Sequence, residues 1–103
     1  MITITYRPSK YEVKIKGRET YDSVSTLFYT LCNALMKAPD DWFSKNPKMA
    51  DSLNSDTGVT SVKCTPAKGY EDYVTLIYET ILTGAEMIAN LHPELITLKV
   101  MRD

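Results

Sequence analysis

The chain has 103 residues and a mass of 11.7 kDa, a size typical of one folded domain and too small for two catalytic domains. An apolar share of 44% with a charged share of 24% excludes a disordered, collagen-like or coiled-coil protein. The formal net charge is −1, and Lys and Arg occur in no long run, so the sequence predicts neither a nucleic-acid nor an anionic-membrane partner.

Residues 1–6 lack the basic start, apolar core and small-residue cleavage site of a signal peptide, and no apolar stretch approaches the roughly 18 residues that span a bilayer. We therefore expect a cytoplasmic protein. Cys32 and Cys64 form no Cys-x-x-Cys pair, and no metal-ligand or cofactor motif occurs. The sequence predicts two reduced, buried thiols, no metal and no cofactor.

Alternation of apolar and polar residues predicts two N-terminal strands, at residues 2–6 and 11–16. Between them Pro8 fixes φ and Ser9 can bond the backbone, which favours a hairpin. Gly17 ends the second strand.

A helix is predicted from Asp22 or Ser23, either of which can cap it, to Ala38, where Pro39 stops the pattern. Apolar residues at three- and four-residue steps define its buried stripe: Val24, Leu27, Phe28, Leu31 and Leu35. The pattern predicts intermediate exposure for three residues at the edge of this stripe, Ser25, Cys32 and Met36.

Residues 38–58 are the least regular stretch, and we expect a long irregular connection there. Asn46 and Pro47 could begin a short helix that runs through Leu53. Trp42 and Phe43 either pin this connection to the core or form a contact surface, and the scarcity of exposed aromatic pairs on monomers favours pinning.

A third strand is predicted over residues 59–64 and a second helix over residues 70–91, ended by Pro93. Its buried stripe comprises Val74, Ile77, Tyr78, Ile81, Ala85 and Ile88. Gly84 in mid-helix indicates a close backbone approach. Leu76, Thr80 and Met87 lie on the opposite face, which a monomer would leave exposed, and they are candidates for a homodimer interface.

A fourth strand is predicted over residues 95–101, with Ile96, Leu98 and Val100 facing inward rather than the alternate set. The elements then follow the order β-β-α-β-α-β. Residues 1–103 therefore form one α+β domain, a two-layer sandwich of about four strands with two helices packed on one face.

The only histidine, His92, stands at the end of the second predicted helix. A structural role there is favoured over that of a catalytic base, because no nucleophile is close to it in the sequence. Cys32 lies two turns into its helix, where thiols are usually packed rather than activated. An active peptidase that uses Cys32 or Ser25 as nucleophile and His92 as base is the competing hypothesis.

Three features of the chain resemble the ribosomal-processing cysteine proteases of Gram-positive bacteria. The order of elements matches that family's, residues 81–100 resemble its final helix, turn and last strand, and residues 13–17 followed by 22–25 resemble its second strand and the start of its first helix. The resemblance implies an α+β fold and removal of a short N-terminal extension from a large-subunit ribosomal protein. In phage relatives the implied target is a capsid-type protein.

The resemblance also implies where catalytic residues belong. That family has its His directly after the glycine that ends strand two, and its Cys in the first turn of the next helix. The matching positions here hold Arg18, after Gly17, and Ser25. A serine hydroxyl beside an arginine has no proton acceptor, so we expect proteolysis to be lost.

The sequence therefore favours a catalytically inactive relative that binds a protein or peptide, and leaves a phage or prophage source open. Arg18 close to a helix N-terminus suits an anionic group. The candidate cleft residues are Gly17, Arg18, Tyr21, Asp22 and Ser25. The alternative is an active cysteine or serine peptidase that processes a ribosomal or capsid protein.

Overall fold

The computed structural model describes residues 1–17, 21–44, 49–54 and 58–102, with the backbone alone for residues 49–54. In this part of the chain two helices cover one face of a mixed sheet, as the sequence predicts. The elements in chain order are β1 (Ile2–Arg7), β2 (Glu12–Lys16), α1 (Asp22–Lys37), β3 (Met49–Asn54), β4 (Val59–Cys64), α2 (Glu71–Leu91) and β5 (Ile96–Val100). The order β-β-α-β-α-β is confirmed, with β3 as an additional strand.

The sheet has the strand order β3-β4-β2-β1-β5. β1 pairs antiparallel with β2 and parallel with β5, so Ile4 has Ile15 on one side and Leu98 on the other. This register turns the apolar residues of β1 toward the helices, where they are buried. On β5, Ile96 and Leu98 face inward as predicted, whereas Val100 is 36% exposed at the end of the strand.

The predicted hairpin between β1 and β2 is confirmed. Pro8–Lys10 form a single 3-10 turn, and Tyr11 then adopts the left-handed conformation with φ of 50°. The Tyr11 backbone N–H donates to the Pro8 carbonyl at 3.2 Å. A proline with its φ already set, followed by one left-handed residue, reverses the chain within five residues.

The expectation of an irregular connection over residues 38–58 is wrong for its second half. Met49–Asn54 form β3, an edge strand that pairs antiparallel with β4. The alternative of a short helix through Leu53 is wrong for residues 49–53, and Asn46 and Pro47 lie outside the described residues. Residues 49–54 contain no β-branched side chain, so pairing with β4 rather than local propensity accounts for this strand.

α1 begins at Asp22, and Tyr21 is its N-cap residue without a side-chain cap hydrogen bond. The predicted cap by Asp22 or Ser23 is therefore wrong, because both residues already lie in the first turn. The buried stripe is confirmed, with Leu27 half-buried. Intermediate exposure is confirmed for Ser25 alone, since Cys32 is buried and Met36 is 56% exposed.

Trp42 and Phe43 pin the segment after α1 to the core, as expected. Phe43 is buried, and the Trp42 ring stacks on Tyr73 and Tyr70 at the start of α2, with centroid distances of 5.1 and 6.2 Å. The Trp42 carbonyl also accepts a hydrogen bond of 2.7 Å from the Ala67 N–H. These contacts attach the end of α1 to the start of α2.

The centre of the core is aromatic. Tyr78 of α2 is fully buried, stacks on Tyr6 of β1 with a centroid distance of 5.9 Å, and donates from its hydroxyl to Cys64 Sγ at 3.6 Å. Cys32 and Cys64 are both free and buried, as the sequence predicts. Where the two helices meet, a Cβ at Gly84 would lie 2.8 Å from Leu27 Cδ1, so the close neighbour is a side chain and the predicted close backbone approach is wrong.

We expect these buried groups to make the protein sensitive to alkali. Burial raises the pKa of the Tyr78 hydroxyl and of the Cys64 thiol, whereas in the unfolded chain they titrate near pH 10 and about 8.5. Above those values the unfolded state binds fewer protons than the native state, so the free energy of unfolding falls as pH rises. We expect urea denaturation midpoints to fall steadily between about pH 9 and 11.

The Tyr78→Phe variant provides the control for this pH dependence. It removes one titrating hydroxyl, worth up to about 1.4 kcal/mol per pH unit above pH 10, so its stability should decline less steeply than that of the parent. Identical slopes in the two proteins would contradict the assignment.

No helix in the described part of the chain is long and apolar enough to cross a bilayer.

Candidate functional site

One end of the sandwich gathers the end of β2, the starts of α1, β4 and β5, and the end of α2. Lys16, the last residue of β2, pairs with Val59 at the start of β4 and with Thr3 near the start of β1. β5 begins at this end because it runs parallel to β1, and α2 ends just before it. We call this region the β2–α1 end.

Gly17 follows β2 and lies close to the start of β1 and to the residue before β4. Its N–H donates to the Gly58 carbonyl at 2.9 Å. A Cβ on residue 17 would lie 2.9 Å from Ile2 Cγ1 and 3.0 Å from the Met1 carbonyl oxygen. Only glycine fits this position without displacing the start of β1.

We expect Gly17→Ala to lower the free energy of unfolding by about 1–3 kcal/mol, because the added methyl group meets backbone and a buried side chain that cannot move freely. Gly84→Ala is the matched control: its Cβ would meet only the flexible end of Leu27, and alanine favours the helix by about 1 kcal/mol over glycine. Urea denaturation of the two variants should separate them. Equal loss of stability in both would contradict the account of Gly17.

Ser25 is half-buried in the first turn of α1, and its backbone N–H donates to the Tyr21 carbonyl at 3.0 Å. Tyr21 is half-buried against the core, and Asp22 is exposed. The positive end of the α1 dipole therefore faces this region, where it stabilises a negative charge or a thiolate. Four of the five candidate cleft residues lie here, and the fifth, Arg18, lies outside the described residues.

His92 also belongs to the β2–α1 end, as the exposed C-cap residue of α2. Its backbone N–H donates to the Ile88 carbonyl at 3.1 Å, and its own carbonyl accepts from Leu95 and Ile96. Cys32 is seven residues beyond Ser25, about 10 Å farther along α1, and is only 6% exposed. A thiol there cannot reach a bound polypeptide unless the surrounding core opens.

The apolar cavity inside the described part of the chain is too small for a polypeptide or an organic ligand. Between sheet and helices lies a cavity of about 20 Å³, lined entirely by apolar atoms of residues such as Ile4, Phe28 and Leu98. It has room for about one water molecule, but its lining supplies no polar partner for one. Within the described residues no group of three or more His, Cys, Asp or Glu side chains could hold a metal ion.

No family model and no curated protein matches this chain. Solved structures do match this chain. SMU.848 from Streptococcus mutans is 23% identical, with a TM-score of 0.67 over 99% of this chain and 96% of that one. The essential ribosomal processing protease Prp from S. aureus, in complex with a covalently linked product peptide, is 18% identical, with a TM-score of 0.72 over 98% of this chain and 100% of Prp.

This chain has the fold of Prp. The likeness covers almost all of both chains, so the resemblance expected from the sequence is confirmed at the level of the fold. Prp has been solved both with its covalently linked product peptide and with a substrate peptide, so Prp itself binds peptides. In the Prp-like fold of this chain, the β2–α1 end holds Gly17 and Ser25.

Proposed function

We propose that this protein is a catalytically inactive relative of Prp that binds a polypeptide segment at its β2–α1 end. The observation that carries the proposal is the position of Ser25 in the first turn of α1, where the resemblance expects the catalytic cysteine. Residue 18, where a catalytic histidine is expected, is arginine. The fold shared with a peptide-binding protease supports retention of the binding surface.

The chemistry of these two side chains supports inactivity. A serine hydroxyl becomes a nucleophile only when a neighbouring base accepts its proton. The guanidinium of Arg18 stays protonated and offers donors but no acceptor. Arg18 precedes the first residue of α1 by four positions in the sequence, and its guanidinium and the positive end of the α1 dipole both attract negative charge, which suits the binding of a carboxylate.

The test compares capture with cleavage. Tagged protein is incubated with lysate of its own host, and mass spectrometry reads both the captured polypeptides and any newly created N-termini. We expect no new N-termini, and equal capture by the parent and by Ser25→Ala. Ser25→Trp, which fills the region, should lose the captured polypeptides, while Met36→Trp at the far end of α1 should keep them. New N-termini that disappear in Ser25→Ala or Cys32→Ala would overturn the proposal.

That overturning result would support the second candidate function, an active peptidase that processes a ribosomal or capsid protein. The observation in its favour is that His92 and Ser25 belong to the same end of the sandwich. Rapid native alkylation of Cys32 would support a thiol version of this enzyme, whereas slow alkylation is expected for a buried structural thiol.

We also propose that two copies associate through the outer face of α2. Leu76 and Met87 are 66% and 64% exposed on this face, and Thr80 lies exposed between them. We expect Leu76→Asp to reduce the mass in solution from dimer to monomer in size-exclusion chromatography with light scattering. Tyr29→Asp, on the exposed surface of α1, is the control. An unchanged mass in Leu76→Asp would remove the proposed interface.

A cytoplasmic location and a phage or prophage source are proposals that rest on the sequence alone.

A further inference from the structure

The charges of this protein are separated between its two layers. α2 carries four acidic residues and no Lys or Arg: Glu71, Asp72, Glu79 and Glu86. The strands β1, β2, β4 and β5 carry five basic residues and one acidic residue: Arg7, Lys14, Lys16, Lys63, Lys99 and Glu12. A net charge near zero therefore conceals a basic group of four strands and an acidic α2, while the fifth strand, β3, adds one acidic residue, Asp51.

All six of these strand charges lie on the face of the sheet that points away from the helices. The helices cover the face of Ile4, Val13 and Leu98, which line the internal cavity together with helix residues. Successive residues of a strand point to opposite faces, so the neighbours of those residues point outward. No described element packs on this outward face, which we call the open sheet face.

The register arranges these charges in rows across the open sheet face. One row runs Ser61, Lys14, Thr5 and Lys99. Lys14 and Lys99 stand two strand spacings apart, about 10 Å, with the Thr5 side chain between them. Along β2, Lys14 and Lys16 are about 7 Å apart. Lys16, Lys63 and Lys99 are exposed.

A cross-strand pair offsets only part of this charge. Glu12 Oε1 lies 3.9 Å from Arg7 Nε on the neighbouring strand, and this nitrogen is buried without a hydrogen-bond partner. Lys63 is the residue paired with Glu12 on β4. Glu12 is thus the cross-strand neighbour of two cations, whereas Lys14 and Lys99 have only uncharged cross-strand neighbours, Thr5 and Ser61.

We propose that the open sheet face binds an acidic, extended polypeptide segment. Acidic side chains at alternate positions of such a segment repeat about every 7 Å, the same interval as Lys14 and Lys16. The Thr5 hydroxyl, between Lys14 and Lys99, can donate to the same carboxylates. The described residues of this face include no aromatic ring on which an unpaired base could stack, so a single-stranded nucleic acid is the poorer fit.

This inference concerns the opposite face from the helices and does not rest on the proposed function. The test uses a fluorescent peptide of alternating glutamate and serine, its glutamine counterpart, and a single-stranded oligonucleotide of equal length. We expect the glutamate peptide to bind the full chain, with an affinity that falls as salt rises, and the other two probes to bind at least about tenfold more weakly.

The variant Lys14→Glu/Lys99→Glu should weaken binding of the glutamate peptide by about tenfold or more. Lys37→Glu/Lys68→Glu makes the same change in net charge outside the open sheet face and should stay within about twofold of the parent. Lys14→Gln/Lys99→Gln, which introduces no repulsion into the sheet, should weaken binding to an intermediate degree. Absence of binding, equal losses in the two charge-reversal variants, or preference for the oligonucleotide would overturn the proposal.

Discussion

Tyr78→Ala is expected to lower the free energy of unfolding by about 3–5 kcal/mol, which for a domain of this size means a fall in Tm of more than about 12 °C. Tyr78 is fully buried and lies between the two layers, where its ring stacks on Tyr6 and meets the edge of Tyr11. Truncation removes these contacts and leaves a cavity beside an existing one, because Tyr78 also lines the apolar cavity of the core.

The matched control for this prediction is Tyr78→Phe, which keeps the ring and removes the hydroxyl. That hydroxyl donates only to Cys64 Sγ, at 3.6 Å, and a thiol is a weak acceptor. We expect Tyr78→Phe to change stability by less than about 1 kcal/mol. Urea denaturation followed by circular dichroism measures both variants at neutral pH. If Tyr78→Phe were as destabilising as Tyr78→Ala, the hydroxyl rather than ring packing would dominate.

Ser25→Cys is expected to create the most reactive thiol in the molecule. A cysteine in the first turn of α1 faces the positive end of the helix dipole, which lowers its pKa. At Met36, in the last turn of the same helix, the dipole acts in the opposite direction. We expect iodoacetamide to label Ser25→Cys about tenfold faster near pH 7 than Met36→Cys, even though Met36 is the more exposed position.

Peptide mapping by mass spectrometry measures the labelling of each new thiol separately from that of the native ones. Cys32 and Cys64 should react slowly because both are buried, and burial raises the pKa of the Cys64 thiol. Adding Arg18→His to Ser25→Cys should accelerate labelling again if the geometry of the ancestral site is preserved. Equal labelling rates at positions 25 and 36 would mean that this end of α1 does not activate a thiol.

The strands and helices that could be predicted are those in which the spacing of apolar residues along the sequence matches the side of the element that is buried. Val13 and Ile15 alternate with charged residues because β2 has one covered face, and the stripe of α2 repeats because its inner side meets the sheet. β3 could not be predicted in this way. It is an edge strand that is stabilised by pairing with β4, and apolar and polar residues do not alternate regularly within residues 49–54.

The basic character of the open sheet face could not be predicted from the sequence for a different reason. The lysines of β2 and β4 are separated along the chain by α1 and β3, so no run of basic residues exists to be noticed. Pairing then places Lys63, Lys14 and Lys99 on one surface. The alternation within each strand could have revealed them. In all four strands the charged residues occupy the positions that alternate with the buried residues, so they all point to the same face of the sheet.

The candidate cleft came from the resemblance and not from the physical pattern of residues. Ser25 is one of several hydroxyl residues in α1, and spacing alone gives no reason to choose it. The fold places it in the first turn, at the same end as Gly17, where the helix dipole supplies a reason. Cys32 is the opposite case. Its position at the edge of the apolar stripe left a catalytic role open, but the fold buries its side chain, which makes that role unfavourable.

The parallel pairing of β1 with β5 has a consequence for biosynthesis. Ile2 and Ile96 are neighbours in the sheet yet lie 94 positions apart in the chain, so a ribosome makes one side of this pair long before the other. Until β5 emerges, nascent β1 has an unpaired edge and no complete cover for its apolar residues. β1 therefore cannot be fully paired and covered until β5 has been made, and we expect its open edge and apolar residues to favour non-native association during that interval.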